Sequence, residues 1–222
     1  LLGVILFFAA NLQQLGLQYT SAGKAGFITS LYIVMVPLFG LFSKRRMHPV
    51  LWFCVLIALA GFYVLSINEQ LSIGKGDLMV LVCAVFFALH ILCIDKFAPR
   101  MNVVRLSFIQ FFVMSLLSAP FMFILEKPQM PDILSAWLTL VYAGVLSGGV
   151  AYTMQMFGQR RVEPAAASIL CSCESMFALL AGWIILNESM SGRELIGCAL
   201  VFLAVVCSQL PWGSFRKRKN MI

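Results

Sequence analysis

Long apolar runs separated by short polar connections dominate the chain. Stretches free of Lys, Arg, Asp and Glu cover residues 1–23, 25–43, 47–68, 78–94, 106–125, 133–159 and 195–215. An eighth run, 164–187, is interrupted only by Glu174. A helix of about 20 apolar residues crosses the hydrocarbon core of a bilayer, so the pattern predicts eight membrane-spanning helices. Strands of a membrane β-barrel are about 10 residues long and alternate apolar with polar positions, which these runs do not do. The connections are short and rich in turn and cap residues, as in Thr20-Ser21-Ala22-Gly23, Gly74-Lys75-Gly76-Asp77 and Asn187-Glu188-Ser189. No loop is large enough to fold alone. The predicted fold class is all-α, a polytopic transmembrane helical bundle.

Composition agrees. Of 222 residues 61% are hydrophobic and 11% charged, against about 25% charged in a soluble domain, and the mean hydropathy is +0.95. The net charge of +7 comes from 16 Lys and Arg against 9 Asp and Glu. These basic residues stand in clusters between apolar runs, which fits membrane topology and gives no reason to expect a nucleic-acid partner. With eight alternating spans, one side holds Lys44, Arg45, Arg46, Lys96, Arg100, Arg105, Arg160, Arg161, Arg216, Lys217, Arg218 and Lys219, which is 12 residues. The other holds Lys24, Lys75, Lys127 and Arg193, which is 4. Excess Lys and Arg mark the cytoplasmic side, so both ends of the chain are expected there and the protein in a cell membrane. The stretch 213–222 reads as a basic cytoplasmic tail. The seven cysteines lie inside apolar runs without metal-ligand spacing and read as small apolar fillers. No cofactor or metal is expected.

An internal repeat is visible. Gly3 matches Gly144 at an offset of 141, and at that offset Asn11, Gln14 and Gln18 fall on Tyr152, Gln155 and Gln159. In both copies the spacing i, i+3, i+7 marks one face of a helix. Leu15-Gly16 and Phe157-Gly158 match at 142, and Cys54–Ala60 matches Cys198–Ala204 at 144. Lys44-Arg45-Arg46 closes one span pair and Asn187-Glu188 closes its counterpart, so the copies are expected to lie in opposite orientation. Inverted repeats of this kind typify secondary transporters, with the substrate site at midplane between the halves. The first repeat is 1–68 with three spans and the second 76–212 with five. An inverted unit needs an odd and equal number of spans, so two spans are expected upstream of Leu1.

The segments Leu15-Gly-Leu-Gln-Tyr-Thr-Ser-Ala22, Ser172-Cys-Glu-Ser175 and Asn187-Glu-Ser-Met-Ser-Gly192 resemble the EamA-type branch of the drug/metabolite transporter superfamily. That resemblance covers essentially the whole chain and implies two five-helix repeats with cytoplasmic termini. It also implies a small-metabolite substrate, an amino acid or related compound among the candidates. The family often carries Glu-Pro in its penultimate helix. Here Ser175 follows Glu174, so a weaker kink is expected. Tyr32 is the repeat counterpart of Glu174, with Pro37 five residues on.

Glu174 is the sharpest chemical signal. A carboxylate at mid-membrane costs on the order of 2.5–3.5 kcal/mol, and such groups mark ion and substrate paths. Its helical neighbours Ala167, Cys171, Ala178 and Ala181 are small, whereas Ile169, Leu180 and Ile184 are expected to face lipid. Glu174 should thus face the bundle interior, where it suits proton exchange, binding of a cationic group, or a structural hydrogen bond. His90 reads either as a satisfied packing residue or as a substrate or proton site. The stripes Asn11/Gln14/Gln18 and Tyr152/Gln155/Gln159, with Tyr32 and Gln110, suit a neutral polar path or interhelical hydrogen bonds. Gly144 and Gly148 form G-x-x-x-G, a spacing for close helix packing. No nucleophile–base pair or phosphate loop appears, so no catalytic residue is expected. A secondary transporter working by alternating access, which could also assemble as a homodimer, is the leading reading. An integral-membrane enzyme would need clustered His, Asp or Glu, and His48 and His90 are separated by at least one span. A non-transporting membrane subunit is the third class.

Overall fold

The structure is a computed structural model and describes residues 1–20, 22–42, 49–66, 74–126, 129–174, 176–177, 184 and 191–210. Among the described residues eleven α-helices run in order: α1 Leu2–Leu17, α2 Ala22–Ser30, α3 Tyr32–Phe42, α4 Pro49–Ser66, α5 Lys75–Phe97, α6 Val103–Phe121, α7 Met130–Ser135, α8 Trp137–Val141, α9 Tyr152–Gln159, α10 Pro164–Cys171 and α11 Gly192–Gln209. Wider π-helical turns over Met122–Glu126 extend α6, and a second stretch, Tyr142–Ala151, joins α8 to α9. No strand occurs among the described residues.

Among the described residues four helices are long and apolar enough to cross a bilayer: Lys24–Leu41, Lys75–Phe97, Val103–Ile124 and Trp137–Gln159. Three shorter apolar helices, Leu2–Leu17, Pro49–Val64 and Leu195–Ser208, occupy three further predicted runs. The eighth run begins as α10 and stays helical at Cys173 and Glu174. Lys44–Arg46, Ser175, Asn187–Glu188 and the tail 213–222 lie outside the described residues.

Local sequence explains the helix ends. Asn102 caps α6, its Oδ1 accepting from the backbone N–H groups of Val104 at 3.0 Å and Arg105 at 3.2 Å. Pro164 opens α10, where its missing N–H is harmless. The run 25–43 is one span broken at Leu31. There the Ser30 hydroxyl donates to the Phe27 carbonyl at 2.6 Å, and Pro37 within α3 denies the Ile33 carbonyl its usual helical donor.

The most extensive pairing is α4 on α11, followed by α1 on α5. Helix α6 flanks α1, and α2 and α3 also lean on α5. One core cluster gathers Ile33, Cys54, Val55, Ala58, Phe62, Ile169, Val201, Ala204 and Val205. Bare backbone makes these crossings close. A Cβ on Gly61 would stand 2.9 Å from the Gly197 carbonyl oxygen, and one on Gly76 would stand 2.7 Å from that of Gly16.

Two sequence expectations are corrected. Gly144 meets nothing within 4 Å, and a Cβ on Gly148 would meet only its own helix and the Phe111 ring. Among the described residues the G-x-x-x-G makes no close crossing, and residues 129–147 are exposed on every face. The close crossings use Gly3, Gly16, Gly61 and Gly76 instead. Ile169, expected to face lipid, is 0% exposed in the core. Helix α10 is surrounded by α3, α4, α5, α9 and α11, so both its faces are covered at Ala165–Ile169.

The two ends of the bundle are distinct. Thr20 and Lys24 meet Asp77 at one end of α5. At the other end the turn after α5 and the end of α9 border one cavity through Pro99, Phe157, Gly158, Arg160 and Arg161.

Candidate functional site

Helices α3, α5, α6, α9 and α10 bring polar side chains together in the middle of the bundle. Tyr32 opens α3 just after the break at Leu31, and its ring lies 6.5 Å from that of Phe87 on α5. Tyr152 opens α9, where the π-helical stretch tightens into α-helix. Its ring meets Phe111 edge-on at 5.5 Å and His90 at 6.3 Å. Glu174 lies within electrostatic range of both Tyr32 and Tyr152, but its side chain is exposed, not enclosed in the bundle interior as its small helical neighbours led one to expect. A carboxylate within electrostatic range of two phenols, each beside an aromatic ring, can hold a cationic group or exchange a proton.

Beside this trio sits a buried polar pair. His90 Nε2 and Gln110 Oε1 lie 3.0 Å apart, and both residues are 1% exposed. With Nε2–H as the donor, Gln110 Nε2 remains buried without a partner. An orphaned donor of this kind costs about 1–3 kcal/mol unless a water or ligand completes it. On α9, Gln155 is half-buried and Gln159 buried. Gln159 Nε2 points at Cys171 Sγ at 4.0 Å, and its Oε1 has no partner.

The stripe on α1 lies apart from this cluster. Asn11 donates to its own helix, to the Phe7 carbonyl at 2.8 Å, and Gln14 and Gln18 are exposed. None of the seven cysteines is in a disulfide, and Cys54, Cys83 and Cys198 are buried. Among the described residues no group of three or more His, Cys, Asp or Glu could hold a metal ion.

Sequence reasoning missed one cluster. Asp77 Oδ2 takes Lys24 Nζ at 2.6 Å and the Gly74 N–H at 2.7 Å, and Oδ1 takes the Thr20 hydroxyl at 2.6 Å. Asp77 is 4% exposed. The acidic residue in the first turn after Gly74 carries a signal, since an N3 carboxylate reaches back to the N-cap amide. The partners on α2 and its preceding turn were not legible.

Comparison with known proteins agrees with this architecture. The EamA-like transporter family model matches residues 74–209. A protein of Archaeoglobus fulgidus described as an uncharacterized transporter is 32% identical over 216 residues, covering 94% of this chain and 67% of that protein. A biotin transporter of Escherichia coli K12 is 23% identical over 234 residues, covering 97% of this chain and 77% of that protein. A solved crystal structure superposes with a TM-score of 0.78 at 23% identity, over 92% of this chain and 74% of that one. At that identity the structural likeness carries the helical fold alone. The family match and the relatives, joined to a bundle of apolar helices around a polar centre, make this chain a member of the EamA-like transporter family, a multi-pass membrane transporter.

Proposed function

We propose that the chain is a secondary transporter moving a small metabolite by alternating access, with Glu174, Tyr32 and Tyr152 on the transport path. The observation that carries this reading is the convergence of Glu174 with two phenols from α3 and α9. A mid-membrane carboxylate is expensive, and an accessible one beside polar rings is worth keeping where something binds it. The two helix sets 1–68 and 76–212 supply the scaffold as inverted repeats. In support, the matched segments Cys54–Ala60 and Cys198–Ala204 lie on α4 and α11, which pack on each other, as equivalent elements beside a two-fold axis do. His90, Gln110, Gln155 and Gln159 border the path, while Asn11, Gln14 and Gln18, expected on it from their spacing, stand apart on α1.

The protein resides in a cell membrane with its Lys- and Arg-rich end in the cytoplasm, a placement supported by the 12-to-4 charge split. The substrate class is an amino acid or related compound, with proton coupling through Glu174.

The test is flux into liposomes holding the purified full chain, over a panel of amino acids and related metabolites that includes biotin. Flux of at least one compound is expected. Glu174→Gln should remove the pH dependence of that flux. Folded protein that moves no compound of the panel would count against transport, and an unchanged pH profile in Glu174→Gln would remove the proton role.

A further inference from the structure

We propose that the cavity at the basic end of the bundle docks the phosphate of an anionic phospholipid headgroup. It has a volume of about 520 Å³ and is lined by Pro99 from the turn after α5 and by Phe157, Gly158, Arg160 and Arg161 at the end of α9. The site is separate from the Glu174 cluster and stands independently of the transport reading.

Three features point to this ligand. The first is chemical: two adjacent guanidiniums border one hollow, and a guanidinium fork matches phosphate oxygens two at a time. Among the described residues no carboxylate lies within salt-bridge distance of either arginine. Asp95 and Glu163, the acidic residues nearest in sequence, do not line the cavity.

The second feature is shape. Gly158 leaves the hollow open, since a Cβ there would meet nothing within 4 Å. Phe157, 42% exposed, and the exposed Pro99 give it an apolar wall. A glycerol backbone and the first acyl carbons can lie on that wall, whereas a free hydrated anion gains nothing from it. This asymmetry favours a lipid over soluble phosphate.

The third feature is place. The cavity sits at helix termini, on the end that also carries Lys96, Arg100 and Arg105. Headgroups of the surrounding bilayer lie at this level, and basic pockets between membrane helices at such an end take anionic headgroups.

Native mass spectrometry of the full chain in neutral detergent tests the site, with phosphatidylglycerol, phosphatidylcholine and inorganic phosphate as probes. Phosphatidylglycerol should be retained in preference to phosphatidylcholine. The double substitution Arg160→Gln/Arg161→Gln should weaken its retention about tenfold or more. Gly158→Leu keeps both charges, fills the hollow and suits a helix better than glycine, and it should weaken retention as well. Lys96→Gln/Arg105→Gln, on the same end but outside the cavity, should leave retention nearly unchanged. Wild-type retention in Gly158→Leu, or equal losses in the two double variants, would reduce the effect to diffuse attraction and overturn the proposal. Inorganic phosphate that displaces phosphatidylglycerol at comparable concentration would overturn the lipid as its source.

Discussion

Replacing Gly61 by alanine perturbs a close contact between α4 and α11. The added Cβ would stand 2.9 Å from the Gly197 carbonyl oxygen, 2.9 Å from Val201 Cγ2 and 3.0 Å from the Val201 amide nitrogen. Two of those three atoms are backbone, which no side-chain rotation can move aside. The helices must therefore separate by several tenths of an ångström along their most extensive interface. Overpacking of this kind costs about 1–3 kcal/mol. Alanine is also the better helix former, by about 1 kcal/mol, which partly offsets the loss. Gly26→Ala isolates the packing effect, because Gly26 is also helical and a Cβ there meets nothing within 4 Å. The difference between the two variants should be about 1–3 kcal/mol, and for a chain of this size each kcal/mol moves the melting temperature by about 2–4 °C. Intrinsic-fluorescence melting in detergent should place Gly61→Ala below Gly26→Ala by about 2–12 °C. Indistinguishable melting temperatures would refute the claim that bare backbone sets the α4–α11 spacing.

Three further outcomes can be measured the same way. Gln110→Leu leaves His90 Nε2 without its partner at 3.0 Å and should cost about 1–3 kcal/mol, whereas His90→Leu/Gln110→Leu, which removes both partners, should be milder than either single change. Asp77→Ala strips Thr20, Lys24 and the Gly74 N–H of a shared acceptor and should cost about 3 kcal/mol; Lys24→Met should cost less, since two of the three partners of Asp77 remain. Asn102→Ala removes the cap of α6 and should cost about 0.5–2 kcal/mol, and an unchanged melting temperature there would remove the capping argument.

The helical class and the positions of the spans were legible because each residue's hydropathy acts locally. A run of about 20 apolar residues needs a bilayer whatever its neighbours are. The family signature was legible for a related reason, since loop segments such as Leu15–Ala22 and the Glu174 region keep their chemistry in one dimension. Among candidate site residues, Glu174, Tyr32, Tyr152 and His90 were singled out because polar groups inside apolar runs stand out on their own. The meeting of His90 with Gln110 and Tyr152, and the exposure of Gln14 and Gln18 on α1, depend on which faces the helices turn to one another.

Glycines and isoleucines show the limit most clearly. Gly144-x-x-x-Gly148 carries the spacing of a crossing, yet Gly144 faces open space; Gly61 carries no such motif and sits at a crossing. Ile169 looks lipid-facing on a helical wheel and is buried because five helices converge on α10. Sequence alone determined the membrane as solvent, the all-helical class and the family, because these follow from apolar length and local pattern. Only tertiary structure decided the partners, since the meeting of Lys24 with Asp77 across 53 residues, or of Arg160 with Pro99 around one hollow, is a property of helix rotation and crossing that no single segment encodes.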